Sequence, residues 1–334
     1  MGCCRHRCYG GGKIRLFSGD KYSWLFAILS PLVLILALIP DLGVWIRGGH
    51  RHFQIFGITV YSGIWAVLLA LPALSVWLSH LDRKNYKRFV GCGLFAWIVL
   101  INVLFSMQGD EPMLVLFDAI VLGMAVSARH NRRYPISVVA LALLLLFSVL
   151  SYSVISHPYR LERIKAAYAY HVEPLGEGYQ TRLSLEDVSA GGLTGLGLGS
   201  FSGEKFAEHY YVMPYTVTTF MLQVTARQMG FCGIALVISL VGLLAYCGWH
   251  LARKAQSDFE RMLKTGALLF LLLQAFFSVA RTLNLLPLMP SHCIPFFSYG
   301  AHTTVAAFVV MGLLLFNESE LARNGSRRGS RSTV

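Results

Sequence analysis

Residues 158–231 read PYRLERIKAAYAYHVEPLGEGYQTRLSLEDVSAGGLTGLGLGSFSGEKFAEHYYVMPYTVTTFMLQVTARQMGF, and they form the only long polar interval in a chain otherwise built of apolar runs. Glycines and aromatic residues are spread through the whole interval. Binding and catalytic residues concentrate in long segments of this kind, because a long loop in a compact protein usually serves a function. We therefore expect the chemistry of this protein to lie here.

The composition places the rest of the chain in a lipid bilayer. Of its 334 residues, 55% are hydrophobic and 14% are charged, a balance too apolar for a soluble domain. The net charge of +12 comes from short basic clusters between apolar runs, without a basic face interleaved with aromatic residues, and this pattern excludes nucleic acid as a partner. The seven cysteines show neither a disulfide framework nor CxxC zinc spacing.

Eight apolar runs are predicted to cross the membrane, on the basis of their length or of their flanking turns and charges. The sequence thus predicts an all-α, polytopic membrane bundle of about eight transmembrane helices with one large loop outside the bilayer. The predicted spans are approximately Tyr22–Pro40, Ile58–Ser79, Phe89–Met107, Met113–Ala128, Tyr134–Ser156, Gly230–Leu251, Thr265–Leu286 and Pro295–Phe316.

Lysine and arginine positions predict the orientation of the bundle. Basic clusters precede the first span and follow the second, fourth, sixth and eighth spans, and cytoplasmic loops carry such an excess. Both termini are therefore predicted to be cytoplasmic, with the long loop on the other side. The predicted organisation is a basic cytoplasmic tail at 1–21, spans one to five at 22–156, the extracytoplasmic loop at 157–229, spans six to eight at 230–317 and a basic tail at 318–334.

Two features of the long loop point to ligand binding. Arg160 and Arg163 lie three positions apart, so they share one side of a short helix that could clamp a diphosphate or anchor in lipid headgroups. The glycines of Gly191–Ser200 allow a sharp bend or a close approach to a ligand, although their spacing matches neither the dinucleotide-binding nor the P-loop pattern.

Polar side chains within the predicted spans are the second source of candidates. Asp118, Gln274 and Arg281 should face the bundle interior or a wet cavity, because polar groups are costly in lipid. Arg281 lies near the outer end of the seventh span, where it could meet an anionic headgroup or extend to the interface. Asp110, in the turn before the fourth span, could be a helix cap or a functional acid.

A series of short motifs runs through the chain from about Ile28 onward. They include RGGHRHF at 47–53, Gln108 with Asp110, Pro158-Tyr159-Arg160 with Arg163, Gly178-Tyr179-Gln180, the glycines of 191–199, Met229-Gly230-Phe231 and PFFSYG at 295–300. In this order the motifs resemble the SEDS (shape, elongation, division and sporulation) family, the FtsW, RodA and SpoVE group of bacterial peptidoglycan glycosyltransferases.

The resemblance implies a function in the bacterial cytoplasmic (inner) membrane. Family members polymerise lipid II, the undecaprenyl-diphosphate-linked disaccharide-peptide, and each pairs with a class B penicillin-binding protein. No cofactor is implied with certainty, and a divalent cation stays an open alternative. The residues implied to bind the substrate are Arg160, Arg163, Tyr179, Gln180, Arg281, Ser298 and Tyr299.

The sequence departs from the family at the expected catalytic acid. Thr219 stands where the family carries Asp, and a neutral hydroxyl does not act as a base near neutral pH. The resemblance also implies ten spans, whereas eight are predicted in this sequence. Either activity is lost, or another group of the loop has taken over. The candidates are Asp187, Glu186, Glu204 and Glu208, with His209 as a neutral base.

Three functions remain open at this point. The first is lipid II polymerisation during cell division or shape maintenance. The second is a catalytically degenerate scaffold that binds a class B penicillin-binding protein or other division proteins. The third, transport of the lipid-linked precursor, ranks last, because Asp118 is nearly alone at mid-depth and a transport path needs a line of charged groups.

Overall fold

The computed structural model describes residues 19–46, 49–80, 87–128, 140, 143, 165, 168–169, 179–200, 221–286, 293–298 and 300–316. These residues form mainly helices, in agreement with the predicted all-α membrane bundle. The helices are α1 (Gly19–Leu38), α2 (Ser62–His80), α3 (Lys87–Gln108), α4 (Glu111–Ser127), α5 (Tyr179–Gly191), α6 (Met221–Arg253), α7 (Asp258–Thr282) and α8 (Ala301–Leu315).

Seven of the eight predicted spans overlap described helices, and the fifth, Tyr134–Ser156, lies largely outside the described residues. The seventh helix begins at Asp258, seven residues before the predicted start, and the eighth begins at Ala301, six residues after it. Within the described part of the chain, three helical stretches are long and apolar enough to cross a membrane: Ser62–Ser79, Met221–Arg253 and Asp258–Thr282. Three shorter apolar helices accompany them: Trp24–Leu38, Cys92–Gln108 and Ala301–Leu315.

The core lies where α1, α2, α3, α4, α7 and α8 meet. Its largest fully buried side chains include Phe105 of α3, Phe117 of α4 and Phe270 of α7. Close packing of these rings holds the helices together, since lipid tails are as apolar as the side chains and the hydrophobic effect gives little preference for helix contact. Helix α6 lies at the edge, and most of its apolar side chains are exposed or only partly buried.

A three-stranded antiparallel sheet, which sequence analysis missed, caps one end of this core. Its strands are β1 (Gly43–Ile46), β2 (Gly49–Ile55) and β3 (Ile58–Tyr61), in the order β1-β2-β3. Phe56 and Gly57 join β2 to β3 with positive φ angles of 51° and 80°, as a tight hairpin turn requires. Residues 58–61, which we predicted as the start of the second span, are therefore strand, and α2 begins at Ser62.

The sixth helix also begins earlier than predicted. Helix α6 begins at Met221, nine residues before Gly230, and it is bent at Gly230, whose φ of 63° and ψ of −158° are not helical. Helix α7 begins with Ser257 as its N-cap, whose hydroxyl accepts a hydrogen bond from Glu260 N at 3.1 Å. The bend in α6 shapes the candidate site.

Candidate functional site

The glycine segment Gly191–Ser200 is bonded to the bend in α6. In a regular helix the carbonyls of Arg227 and Gln228 would accept from the amides of Phe231 and Cys232. The positive φ of Gly230 opens both bonds. Leu196 N and Gly197 N donate to the two carbonyls at 2.9 and 3.1 Å. Phe231 N and Cys232 N in turn donate to Gly192 O and Leu193 O, at 2.9 and 3.1 Å. All four groups of these two opened bonds are therefore paired.

This close backbone contact explains why glycines recur in the segment. A Cβ atom on Gly191 would lie 1.9 Å from Ala226 O, and one on Gly195 would lie 2.1 Å from Gln228 O. Gly195 also has a φ of +83°, which favours glycine. We predicted a close approach to a ligand or a sharp bend, and the closest approach in the structure is to α6 itself.

A buried ion pair fastens α5 to the same part of α6. Asp187 of α5 is 1% exposed and forms an ion pair with Arg227 of α6. Gln223, one turn before Arg227, also donates a hydrogen bond to the Asp187 carboxylate. Neither partner was predicted from the sequence.

A polar cluster formed by Arg281, Cys293 and Ser298 lies next to α5. Arg281, at the end of α7, is 7% exposed, and its charge acts on the Cys293 thiol. Cys293 also shares a side-chain hydrogen bond with Ser298, whose hydroxyl lies 3.1 Å from Thr303 Oγ1. Burial raises the pKa of Cys293, against the opposing effects of Arg281 and Ser298. The cluster therefore holds one buried cation beside a neutral thiol and a hydroxyl.

Helix α5 bridges this cluster and the Asp187 ion pair. Ser184, one turn before Asp187, donates to the carbonyl of Thr282, the neighbour of Arg281, at 3.3 Å. Both polar groups therefore lie at one end of the bundle, where α5 packs against α6 and α7. A segment docked on two helices can position side chains more firmly than a free loop.

A second polar network surrounds the α3–α4 turn. Asp110 is fully buried at the N-cap position of α4, and its carboxylate accepts a hydrogen bond from the Tyr61 hydroxyl at 2.7 Å. Arg51 of β2 donates to the Gly109 carbonyl. Gln108 donates to Leu34 O at 2.7 Å and accepts from Ser62 Oγ at 3.1 Å. Burial raises the pKa of Asp110, although Arg51 and Tyr61 oppose the shift.

Several predicted site residues lie outside the described part of the chain: Arg160, Arg163, Glu204, Glu208, His209, Thr219 and Tyr299. Tyr179 and Gln180 are the first two residues of α5. Glu186 is exposed and pairs with Arg182 at 3.3 Å on the outer side of α5. Of the predicted residues, Arg281 and Ser298 both interact with Cys293. Asp187 lies on α5, which packs against α7, the helix of Arg281. Their roles remain predictions.

The sequence leaves a divalent cation as an open alternative. Among the described residues, no group of three or more His, Cys, Asp or Glu side chains could hold a metal ion. The divalent cation therefore stays an untested alternative.

A family model of cell cycle proteins, the FtsW, RodA and SpoVE group, matches residues 15–322. That match spans most of the chain and decides the family. The chain belongs to the FtsW/RodA/SpoVE family. The predicted family is confirmed, and this family member is accordingly a multi-pass membrane protein.

Named relatives and solved structures agree with this assignment. The chain is 29% identical to a probable peptidoglycan glycosyltransferase FtsW of Nitrosomonas europaea, over 94% of this chain and 80% of that protein. It is 28% identical to a probable peptidoglycan glycosyltransferase FtsW of Geobacter metallireducens, over 85% of this chain and 73% of that protein.

The fold is that of solved family structures. The Thermus thermophilus rod shape determining protein RodA superposes with a TM-score of 0.60 at 20% identity, over 90% of this chain and 78% of that chain. A chain from a peptidoglycan synthase complex superposes with a TM-score of 0.67 at 22% identity, over 90% of this chain and 82% of that chain. At these identities the likeness establishes the fold alone.

Proposed function

We propose that this FtsW/RodA/SpoVE family member is a peptidoglycan glycosyltransferase that polymerises lipid II on the outer face of the bacterial inner membrane. Both termini are then cytoplasmic, and the loop 157–229 faces outward. The named FtsW relatives support the activity. The observation that carries the proposal is the Arg281 cluster, a buried cation at the end of the bundle where α5 and the glycine segment dock.

The reaction requires a stabilised diphosphate leaving group. The 4-hydroxyl of one lipid-linked sugar attacks the anomeric carbon of another, and the bond from that carbon to the phosphate oxygen breaks. Undecaprenyl diphosphate departs with the electron pair, and the hydroxyl proton passes to a base. Arg281 supplies positive charge to the developing diphosphate, together with Arg160 and Arg163 of the loop. Tyr179, Gln180, Ser298 and Tyr299 complete the substrate-binding set.

The identity of the base separates the two candidate functions. Thr219 is neutral, and Asp187 is buried and paired with Arg227, so it is poorly placed to reach a substrate hydroxyl. We assign Asp187 a positioning role and keep Glu208 as the candidate base of an active enzyme. The same ion pair favours the second function, a non-catalytic scaffold that retains the fold and the partner.

The lateral surface of α6 supports a membrane partner in either case. Its side chains are largely exposed, including Leu236, Leu240, Leu243 and Trp249. A single apolar helix from a class B penicillin-binding protein would cover this surface inside the membrane, where packing and not water exclusion drives association.

Polymerisation of lipid II by the purified full-length protein, with and without a class B partner, tests the proposal. Wild type should produce glycan strands with the partner, and Arg281→Gln should not. Arg253→Gln, at the exposed far end of α6, is the matched control and should retain activity. Strands from Thr219→Asp together with none from wild type would reject the enzyme and establish the scaffold.

A further inference from the structure

The centre of the bundle contains an acidic side chain that the proposed function does not use. Asp118 of α4 is 2% exposed and Asn102 of α3 is 1% exposed. Asp118 lies eight residues beyond Asp110, so it is on the order of 12 Å from the end of the bundle that holds the sheet. Its neighbours along α4, Leu116 and Phe117, are fully buried in the apolar core.

The two side chains leave one oxygen each without a partner. Both hydrogens of the Asn102 amide are used, because Nδ2 donates to Asp118 Oδ1 at 3.1 Å and to Ile98 O at 3.0 Å. Asp118 Oδ2 and Asn102 Oδ1 are buried and accept no hydrogen bond in the described part of the chain. These two buried oxygens lack a donor, and a proton on the carboxyl supplies one.

No cation is available to neutralise an ionised Asp118 among the described helices that pack against α4. Residues 62–79 of α2 contain no charged side chain. On α3 the charged residues are Lys87 and Arg88, which lie at the start of the helix and precede Asn102 by more than ten residues. On α7, the charged side chains are confined to the ends, at Asp258, Glu260, Arg261, Lys264 and Arg281, and Lys264 is paired with Glu260 at 2.6 Å.

The remaining titratable groups nearby do not change this conclusion. Glu111 is the other acid of α4, two turns away at its start. The predicted fifth span, Tyr134–Ser156, contains no Asp, Glu, Lys, Arg or His. A carboxylate without a counter-ion is costly in the bilayer interior, whereas a neutral carboxyl that also donates a hydrogen bond is tolerated.

We propose that Asp118 and Asn102 form a proton-binding site in the middle of the bundle, with the proton held on the Asp118 carboxyl at neutral pH. The acid and the amide then match each other as donor and acceptor, and they join α3 to α4 without a charge. Loss of the proton at alkaline pH leaves a carboxylate facing only one donor, so the α3–α4 contact becomes sensitive to pH.

Infrared spectroscopy of the full-length protein, carrying ¹³C-carboxyl aspartate in lipid vesicles, tests the site. Wild type at neutral pH should show the carbonyl stretch of a protonated Asp118, which Asp118→Asn lacks. Asp110→Asn should retain this band, which separates it from any band of the second buried aspartate. Asp41→Asn, a matched change at an exposed aspartate, should leave that band unchanged. Asn102→Ala should shift the band, because the carboxyl loses its partner; this variant assigns the band even if Asp118→Asn does not fold.

Three results would overturn the proposal. The first is the absence of a protonated aspartate band in wild type at neutral pH. The second is a band that is unaffected by both the Asp118 and the Asn102 substitution. The third is a rise in thermal stability when Na⁺ or K⁺ is added at constant pH, present in wild type and absent in Asp118→Asn, which would indicate a bound metal cation. A melting temperature that falls at alkaline pH only when Asp118 is present supports the proposal.

Discussion

Removal of the Arg227 charge should destabilise the protein more than removal of the Asp187 charge. The side chain of Asp187 is 1% exposed, whereas that of Arg227 is 17% exposed. In Asp187→Asn the unpaired guanidinium can turn toward water, and the new amide can still accept a hydrogen bond from Gln223. In Arg227→Leu the carboxylate stays buried and cannot reach water.

Burial sets the expected magnitudes. Removal of one partner from a buried ion pair costs about 3–5 kcal/mol, and we expect this for Arg227→Leu. The partial exposure of Arg227 lowers the expected cost of Asp187→Asn to about 1–2 kcal/mol. The double variant carries no buried charge and should recover stability, so the coupling energy should be about 1–3 kcal/mol. Glu186→Gln, in the neighbouring exposed pair, should cost about 0.5 kcal/mol or less.

Unfolding of the purified full-length variants in detergent micelles measures these differences. The readout is the free energy of unfolding from denaturant titration, with all variants compared in the same detergent. Equal losses for the two single variants, with an additive loss in the double variant, would show that the ion pair does not fasten α5 to α6.

Three further predictions concern single sites. Gly195→Ala should lower the melting temperature more than Gly197→Ala. Both glycines have a positive φ, which costs an alanine about 1–2 kcal/mol. Only a Cβ at 195 would also clash with a carbonyl oxygen, at 2.1 Å. Burial raises the pKa of Asp110 in the folded protein above its value in the unfolded chain. The stability that its protonated form contributes is therefore complete below the unfolded pKa and is lost as the pH rises through the folded pKa. Melting curves recorded at a series of pH values should show this loss in wild type and not in Asp110→Asn. Arg281→Lys keeps the charge without the planar fork, so lipid II binding measured on vesicles should weaken by about tenfold, and unchanged binding would place the diphosphate elsewhere.

Patterns that recur locally allowed much of the fold to be predicted. Runs of about twenty apolar residues predict membrane helices, because the bilayer thickness sets their length. The sheet was missed for a related reason. Residues 58–61 are apolar and adjoin the second span, and a short apolar run does not distinguish a strand from the start of a helix. The turn at Phe56-Gly57 folds residues 58–61 back onto β2, and this pairing, not hydropathy, makes them a strand.

The candidate site was harder to predict, because its contacts join distant positions. Asp187 and Arg227 are 40 residues apart, and neither has a local pattern that names the other. The single glycine at 230 looks like an ordinary residue of a membrane helix, and its bend depends on amides and carbonyls of the glycine segment. Arg281 was predicted correctly as an inward-facing residue, since a charge in an apolar span has to be buried or reach water.

The proposed function requires the glycine segment and the Arg281 cluster to lie on the outer side of the membrane. Sided labelling tests this directly, in a variant whose exposed cysteines Cys92, Cys232 and Cys247 and the N-terminal cysteines have been replaced. A cysteine placed at Leu198, which is 82% exposed, should react with a membrane-impermeant maleimide in intact cells. A cysteine at Gln256, between α6 and α7, should react only after permeabilisation. Reaction at 256 and not at 198 in intact cells would contradict the proposed orientation and function.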